Sequence, residues 1–380
     1  MSHSGRRRVA VLNRNFGKRF GGAEHYSSAI AEQLAYQYEV HVFAQEIEHS
    51  FPGITYHNIS KPFNRPRWLN QLWYALVTWH MTRHGFDIVH SHENTWHGNI
   101  HTVHVRPFRN GLFDQKTGWR SGLKWLTLIT SPRLLTYWWL EWARMRPIPN
   151  RKIVATSESV RLELLKSYPL VASILHTIPP GVEPPIITLD KQSMRNQLGL
   201  PLDPKLALFV GNDYLKKGLP TLLKALVNIE HLHLAVVGDT RQKEICYQQA
   251  KSLGIEKRVH FLGSLQSVEP AYAAADLLVH PTTEDTYGMV VLEAMAHGLP
   301  VVVSSSRFCG IASDLKDKHD ALILNKPQDA DLLTSLINSA LSTDNMINIK
   351  FHAKQFAKSN KWSMRANQYA EVYEKISSQI

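Results

Sequence analysis

Two carboxylates eight positions apart, Asp285 and Glu293, stand in a stretch that otherwise reads as buried: residues 277–304, LLVHPTTEDTYGMVVLEAMAHGLPVVVS. The segment MVVLEAMA is apolar nearly all round, so a helix there must be buried, and an ionised Glu293 in its middle requires a partner. Carboxylates accept hydrogen bonds and the hydroxyls of a sugar or ribose donate them. Asp285 and Glu293 are therefore placed to hold one polyhydroxylated ligand, from a loop and from the second turn of a helix. The alternative is an Asp285 that caps the helix and a Glu293 satisfied by a neighbouring arginine or backbone amide.

Two other groups could handle phosphate or sugar. Lys216-Lys217-Gly218 closes a polar loop, where ammonium groups can neutralise a diphosphate. Gly21 and Gly22 end the loop before a helical stretch and allow helix N-terminal amides to approach a phosphate closely. Each pattern alone also fits an ordinary turn or solvated lysines. Seven histidines lie between His80 and His104, but no cysteine or carboxylate spacing completes a metal site. His90 and His92 alternate on one strand face, and residues 101–104 span one helical turn. Cys246 and Cys309 form no disulfide framework and read as buried small hydrophobes.

These residues need elements to hold them. Leu277–His280 and Val301–Val303 read as strands around a helix from about Gly288 to His297, ended by Gly298 and Pro300. Strands near residues 9–12, 39–44, 87–92, 152–156, 207–211, 233–238 and 259–262 alternate with helices at residues 23–34, 68–83, 219–226, 241–253, 329–341 and 348–359. Ser157 reads as the N-cap of a further helix. The alternation predicts parallel sheets, with ligands at the carboxyl ends of the strands. Residues 178–185, IPPGVEPP, form a stiff connector, so the domain boundary is expected near Pro185. The domains are then 1–185, with a terminal helix 362–380 crossing back, and 186–361.

A chain of 380 residues with 44% hydrophobic content fits two globular domains rather than a disordered polymer. The first apolar run is too short for a signal peptide, so the expected location is cytoplasmic. Charge is lopsided: residues 1–185 carry 22 Lys and Arg against 12 acids, a net of +10, and residues 186–380 carry 21 against 20. Nine of the ten tryptophans lie between Trp68 and Trp142. Residues 106–151 combine nine basic residues with two acids, Asp114 and Glu141. Within them, residues 124–142 are too interrupted, by Pro132, Arg133 and Glu141, to span a bilayer. They suit either an amphipathic hairpin at an anionic membrane surface or a helical insertion packed on its own domain.

Five ordered elements resemble the family 4 retaining glycosyltransferases, two-domain nucleotide-sugar enzymes of GT-B architecture: GGAE (21–24), HTVH (101–104), PPGVE (179–183), KKG (216–218) and the unit from Asp285 to Glu293. The resemblance is firm over residues 178–314 and looser before them. It implies an α/β fold of two Rossmann-like, doubly wound domains facing a central cleft. It implies that His104 lies beside the donor sugar, that Asp285 or the adjacent Glu284 reaches that sugar, and that Glu293 holds the ribose hydroxyls. The family has Glu where this chain has Asp285, and Asn212 replaces the usual arginine, so Lys216 is the candidate second charge beside Lys217. Gly21, Gly22, Tyr287, Gly288, Met289 and Val290 would complete the donor site, with Leu262 and Gly263 near the base. IPPGVEPP, VGNDYLKKG and AADLLVHP are similar to the lipopolysaccharide core glucosyltransferases of that family.

The implied activity is retaining transfer of a hexose from a nucleotide diphosphate-sugar, a UDP-sugar by expectation, to a membrane-held glycan such as the lipopolysaccharide core. No cofactor, no essential metal and no nucleic-acid partner are expected. The implied site of action is the inner face of the cytoplasmic membrane, reached through residues 106–151. Alternatives are a transferase for another acceptor, a GT-B sugar-nucleotide epimerase, or a noncatalytic basic protein binding membrane or nucleic acid.

Overall fold

The structure is a computed structural model and describes residues 5–109, 130–185 and 190–377. The chain divides into two compact units, Met1–Pro180 with Trp362–Ile380, and Gly181–Lys361. The boundary falls between Pro180 and Gly181 rather than near Pro185. Its physical reason is that the Val182 amide donates to the Asn360 carbonyl at 2.8 Å and Val182 bridges Lys361, which ties the connector to the second unit.

In the first unit the strands are β1 (Arg8–Leu12), β2 (Asn15–Phe16), β3 (Glu39–Ala44), β4 (Glu46–Ile47), β5 (Ile54–Asn58), β6 (Ile88–Ser91), β7 (Ile100–Val103), β8 (Lys152–Ala155) and β9 (Leu175–Thr177). Seven of them form one parallel sheet in the order β5-β3-β1-β6-β7-β8-β9, while β2 and β4 pair separately. The helices are α1 (Gly22–Leu34), α2 (Arg67–Thr82), α3 (Pro132–Met145), α4 (Glu158–Ser167) and the terminal helix Trp362–Ser377. The terminal helix packs beside α1, with Tyr26 against Tyr369 and Trp362.

His101 stands on strand β7 and His104 just past it, not on a helical turn, because both neighbours of β7 pair with it in register. Pro132 opens α3 instead of interrupting it: it occupies the first turn, where no amide is needed, and the Ser131 side chain caps the Leu134 amide. Residues 110–129 of the expected hairpin lie outside the described residues. No described helix is long and apolar enough to cross a membrane.

The second unit contains β10 (Lys205–Val210), β11 (Leu232–Val237), β12 (Val259–Gly263), β13 (Leu277–His280), β14 (Val301–Ser304) and β15 (Leu322–Leu324). Its helices are α5 (Lys191–Gln197), α6 (Leu219–Val227), α7 (Lys243–Ser252), α8 (Glu269–Ala274), α9 (Met289–Ala296), α10 (Ala330–Leu341) and α11 (Thr343–Lys358). The sheet is wholly parallel, ordered β12-β11-β10-β13-β14-β15. Alternate residues of each strand face opposite cores. Leu206, Leu208 and Val210 pack with α8, α9 and part of α11, whereas Ala207 and Phe209 pack with α6, α7 and α10. Helices on both faces explain why these strands read as continuous apolar runs.

Candidate functional site

In the second unit the chain order reverses between β10 and β13, which makes their carboxyl ends the topological switch point where doubly wound sheets bind ligands. The loops leaving these two strands carry the lysines and acids singled out above. Lys216 Nζ meets Glu284 Oε2 at 2.8 Å and Lys217 Nζ meets Asp285 Oδ2 at 2.6 Å. The loops are also joined through backbone: the Thr283 amide and hydroxyl both donate to the Lys216 carbonyl at 2.9 Å. Gly218 makes this approach possible, since a Cβ there would lie 2.0 Å from the Pro281 carbonyl oxygen.

Asp285 is fixed from several sides. Its amide donates to the Phe308 carbonyl at 2.7 Å, and the Gly310 amide donates to its own carbonyl at 3.1 Å. His280, fully buried at the end of β13, lies with Nε2 3.0 Å from Asp285 Oδ2. Burial alone would raise the Asp285 pKa; the His280 hydrogen bond and the Lys217 charge outweigh it and hold the carboxyl well below its ordinary range. Burial keeps His280 itself below the usual histidine value. The neutral ring therefore donates from Nε2, and its Nδ1 has no partner among the described residues. Nothing in the sequence spacing distinguished His280 from the other strand residues except its place at a strand end.

His280, Asp285 and Cys309 bring ligand atoms within 4.8 Å of one another, the one such group among the described residues. The set does not suit a divalent ion: the Lys217 ammonium already occupies Asp285 Oδ2, and burial, then Asp285, push the Cys309 thiol far up and keep it protonated.

Glu293 has the partner its position demanded, but of a kind not foreseen. The Tyr272 hydroxyl, on α8, donates to Glu293 Oε2 at 2.7 Å. Tyr272 is buried and its ring stacks on His297. The two carboxylates of the expected pair thus have separate supports, Lys217 and His280 for Asp285 and Tyr272 for Glu293. No side chain caps the N-terminus of α9, so the Met289 and Val290 amides of its first turn are open to an anion. Tyr287 is buried beside them, and its carbonyl accepts from the Ile311 amide at 2.7 Å. Leu262 and Gly263 end β12, the edge strand, two strands away from the switch point on the same ends of the sheet.

The first unit has its own switch point between β1 and β6. Arg14, in the loop after β1, pairs with Glu93, in the loop after β6, at 3.1 Å. Gly21 is the N-cap of α1 and Gly22 its first residue, with no side-chain cap. Past β7, His104 Nε2 lies 2.9 Å from His92 Nδ1. Burial first, then the Arg144 charge, push His104 down to about 3, so it is neutral at physiological pH. Arg144, on α3, is itself buried, donating to the Asn94 side chain at 2.8 Å and to the Thr102 carbonyl. Sequence reasoning had placed His92 on a strand face without giving it a role, and had not marked Arg144 or the Arg14–Glu93 pair, whose members are distant along the chain.

Two parallel α/β units, each with a polar cluster at its switch point, define the GT-B fold. Residues 190–359 match the family described as glycosyl transferases group 1, and residues 20–184 match glycosyltransferase family 4. The chain belongs to this glycosyltransferase family. It is 28% identical over 203 residues to the lipopolysaccharide glucosyltransferase WaaG of Escherichia coli strain K12, covering 51% of this chain and 54% of that protein. It is 30% identical over 248 residues to D-inositol 3-phosphate glycosyltransferase of Corynebacterium jeikeium, covering 59% and 57%. The chain spans about half the length of the curated relatives it matches. In fold it is similar to the crystal structure of WaaG, a glycosyltransferase involved in lipopolysaccharide biosynthesis, with a TM-score of 0.80, 22% identity and coverage of 96% and 99% of the two chains. It is also similar to Anabaena HepE in complex with UDP-glucose, with a TM-score of 0.74, 20% identity and coverage of 98% and 99%.

Proposed function

We propose that the protein is a retaining glycosyltransferase that moves a hexose, glucose in the first instance, from a UDP-sugar to a membrane-held glycan of lipopolysaccharide-core type. The observation that carries this reading is the pairing of Lys216 and Lys217 with Glu284 and Asp285 across the β10–β13 switch point. That arrangement offers cations for a diphosphate and acceptors for sugar hydroxyls in one place. The WaaG relative and the lipopolysaccharide core glycosyltransferase LpsE of Rhizobium meliloti, 30% identical over 131 residues, support the acceptor class. HepE, which binds UDP-glucose, supports the donor.

In the proposed reaction the bond between the anomeric carbon and the phosphate oxygen breaks, and its electron pair leaves with the nucleoside diphosphate. The acceptor hydroxyl attacks from the same face and passes its proton to a leaving phosphate oxygen. Lys216, Lys217 and the amides at Met289 and Val290 stabilise the leaving charge. Asp285, held ionised by His280 and Lys217, orients the sugar, with Glu284 beside it. Glu293 takes the ribose hydroxyls, Tyr287 and Gly288 shape the wall, and Leu262 and Gly263 face the base. His104, in the first unit, serves a sugar or phosphoryl oxygen. No metal takes part. The half-exposed Trp139 and Trp142 on α3, with Arg146 stacked on Trp142 at 5.1 Å, suit a peripheral site on an anionic cytoplasmic membrane face.

The test is the melting temperature of the protein against UDP-, GDP-, ADP- and TDP-sugars, with and without a chelator. Ligand at a hundred times its dissociation constant adds about 2.7 kcal/mol. The expected result is a shift with UDP-glucose that survives chelation and is lost in Glu293→Ala. No shift with any nucleotide sugar, together with salt-sensitive binding to polyanions, would favour a basic binding protein instead.

A further inference from the structure

Beneath His104 lies a buried polar assembly that the proposed reaction does not use. His90 Nδ1 is 2.9 Å from the Tyr373 hydroxyl, and His90 Nε2 is 2.7 Å from the Thr102 hydroxyl. Thr102 continues to Tyr369 at 2.7 Å, Tyr369 to Tyr26 at 2.9 Å, and Tyr26 to the Ile178 carbonyl at 2.8 Å. The last acceptor fixes every proton in the row. A carbonyl cannot donate, so Tyr26 donates to it and receives from Tyr369. Tyr369 then receives from Thr102, Thr102 from His90 Nε2–H, and His90 Nδ1 from Tyr373. His90 is thereby spent, and its ring lies against His92, tilted by 35° with 4.3 Å between centroids.

His92 and His104 remain. Their rings are nearly coplanar, 20° apart, and joined by the 2.9 Å contact between His92 Nδ1 and His104 Nε2. One proton lies in that contact, and either ring can own it. His92 Nε2 is buried with no partner among the described residues. If His104 donated, His92 would carry its proton at this nitrogen, a buried N–H with no acceptor. If His92 donates, only a lone pair is left there. Among buried polar groups an orphaned N–H is the rarer case. The second arrangement places the His104 proton at Nδ1, the nitrogen with no partner among the described residues, on a ring that is only half-buried.

We propose that His92 is a positioning residue for His104: donating Nδ1–H to His104 Nε2, it fixes His104 as a neutral imidazole that offers its Nδ1–H outward as a hydrogen-bond donor to a sugar or phosphoryl oxygen. This rests on the reading that His104 serves the donor sugar. A donor of fixed direction orients an oxygen without a change of charge, and neither histidine acts as a base.

The test separates the two. Nitrogen NMR of imidazole-labelled protein at pH 7 is expected to show His104 protonated at Nδ1 and bare at Nε2. In His92→Phe the His104 signals should change to a mixture of tautomers, and with UDP-glucose kcat should fall about tenfold or more while KM moves less than threefold. His92→Asn, whose amide can donate to the same nitrogen, should recover most of the rate. Finding His104 protonated at Nε2 in the unaltered protein overturns the proposal, as does a His104 spectrum unchanged in His92→Phe. If His92→Phe does not fold, the spectrum of the unaltered protein still decides. Full turnover in His104→Ala would instead remove the reading that His104 serves the sugar, whatever the tautomer.

Discussion

At Asp285 a short carboxylate has been drawn onto two side-chain donors, Lys217 and His280, and its charge state follows from them. Because its folded pKa lies below the unfolded value of about 3.9, its contribution to stability is present above that pH and is lost as the pH falls through the folded pKa. The melting temperature of Asp285→Asn should therefore lie below that of the unaltered protein at pH 7, and the gap should narrow progressively as the pH falls below about 4. A gap that widens in acid would contradict the assignment of charge. On activity, Asp285→Ala should lower turnover without abolishing nucleotide binding, whereas Lys217→Met should lower kcat by about 10²–10³ if its ammonium faces the leaving diphosphate. Single-turnover kinetics and a binding isotherm for UDP separate the two effects. Glu293 shows what residue types alone can convey. An acid in an apolar helix announced that a partner must exist, but Tyr272 lies 21 positions away on another helix, and no local pattern names it.

Elements were more legible than contacts, because apolar runs and glycine punctuation are local signals. Residues 277–304 resolve into β13, α9 and β14 as their pattern required, with Gly288 and His297 as the flanking residues of α9. Short edge strands such as β5, ITYHN, and β15, LIL, were missed because their patterns are too brief to stand apart from loops. The His101 stretch misled because histidines three apart fit a helix as well as the end of a strand. Gly288 shows how an element's geometry imposes a residue. Its φ of 93° lies in the left-handed region, and a Cβ there would sit 2.7 Å from Cys309 Sγ. Gly288→Ala should destabilise the protein by about 2–4 kcal/mol in denaturant unfolding, from backbone strain plus the clash. Adding Cys309→Ala should recover part of that loss by removing the sulfur, so the double variant should be less unstable than the two single effects summed. Strict additivity would mean that the sulfur contact plays no part.

Over the whole molecule, buried histidines are unevenly shared, and that asymmetry predicts how it fails in acid. His90, His97 and His104 in the first unit are all held down to about 3, chiefly by burial, and His92 and His101 lie well below the usual value. In the second unit His280 is the one fully buried histidine, and Asp285 partly offsets its burial. A histidine kept neutral in the folded state contributes stability that is whole above its unfolded pKa of about 6.5. That contribution is lost progressively as the pH falls towards the folded value. At pH 5 each histidine with a folded pKa of about 3 then removes about 2 kcal/mol, because the unfolded chain binds protons that the fold refuses. The first unit should consequently lose far more stability than the second between pH 7 and pH 5. Hydrogen exchange followed by mass spectrometry at the two pH values assigns the loss to a unit. Early exchange in β6 and β7, with β10 and β13 still protected, is the expected outcome. Equal loss in both units, or earlier opening of β10 and β13, would show that the histidines do not govern acid unfolding. Replacing His90 with Phe should flatten the pH dependence of the first unit, because the one group whose protonation the fold refuses at that position is gone.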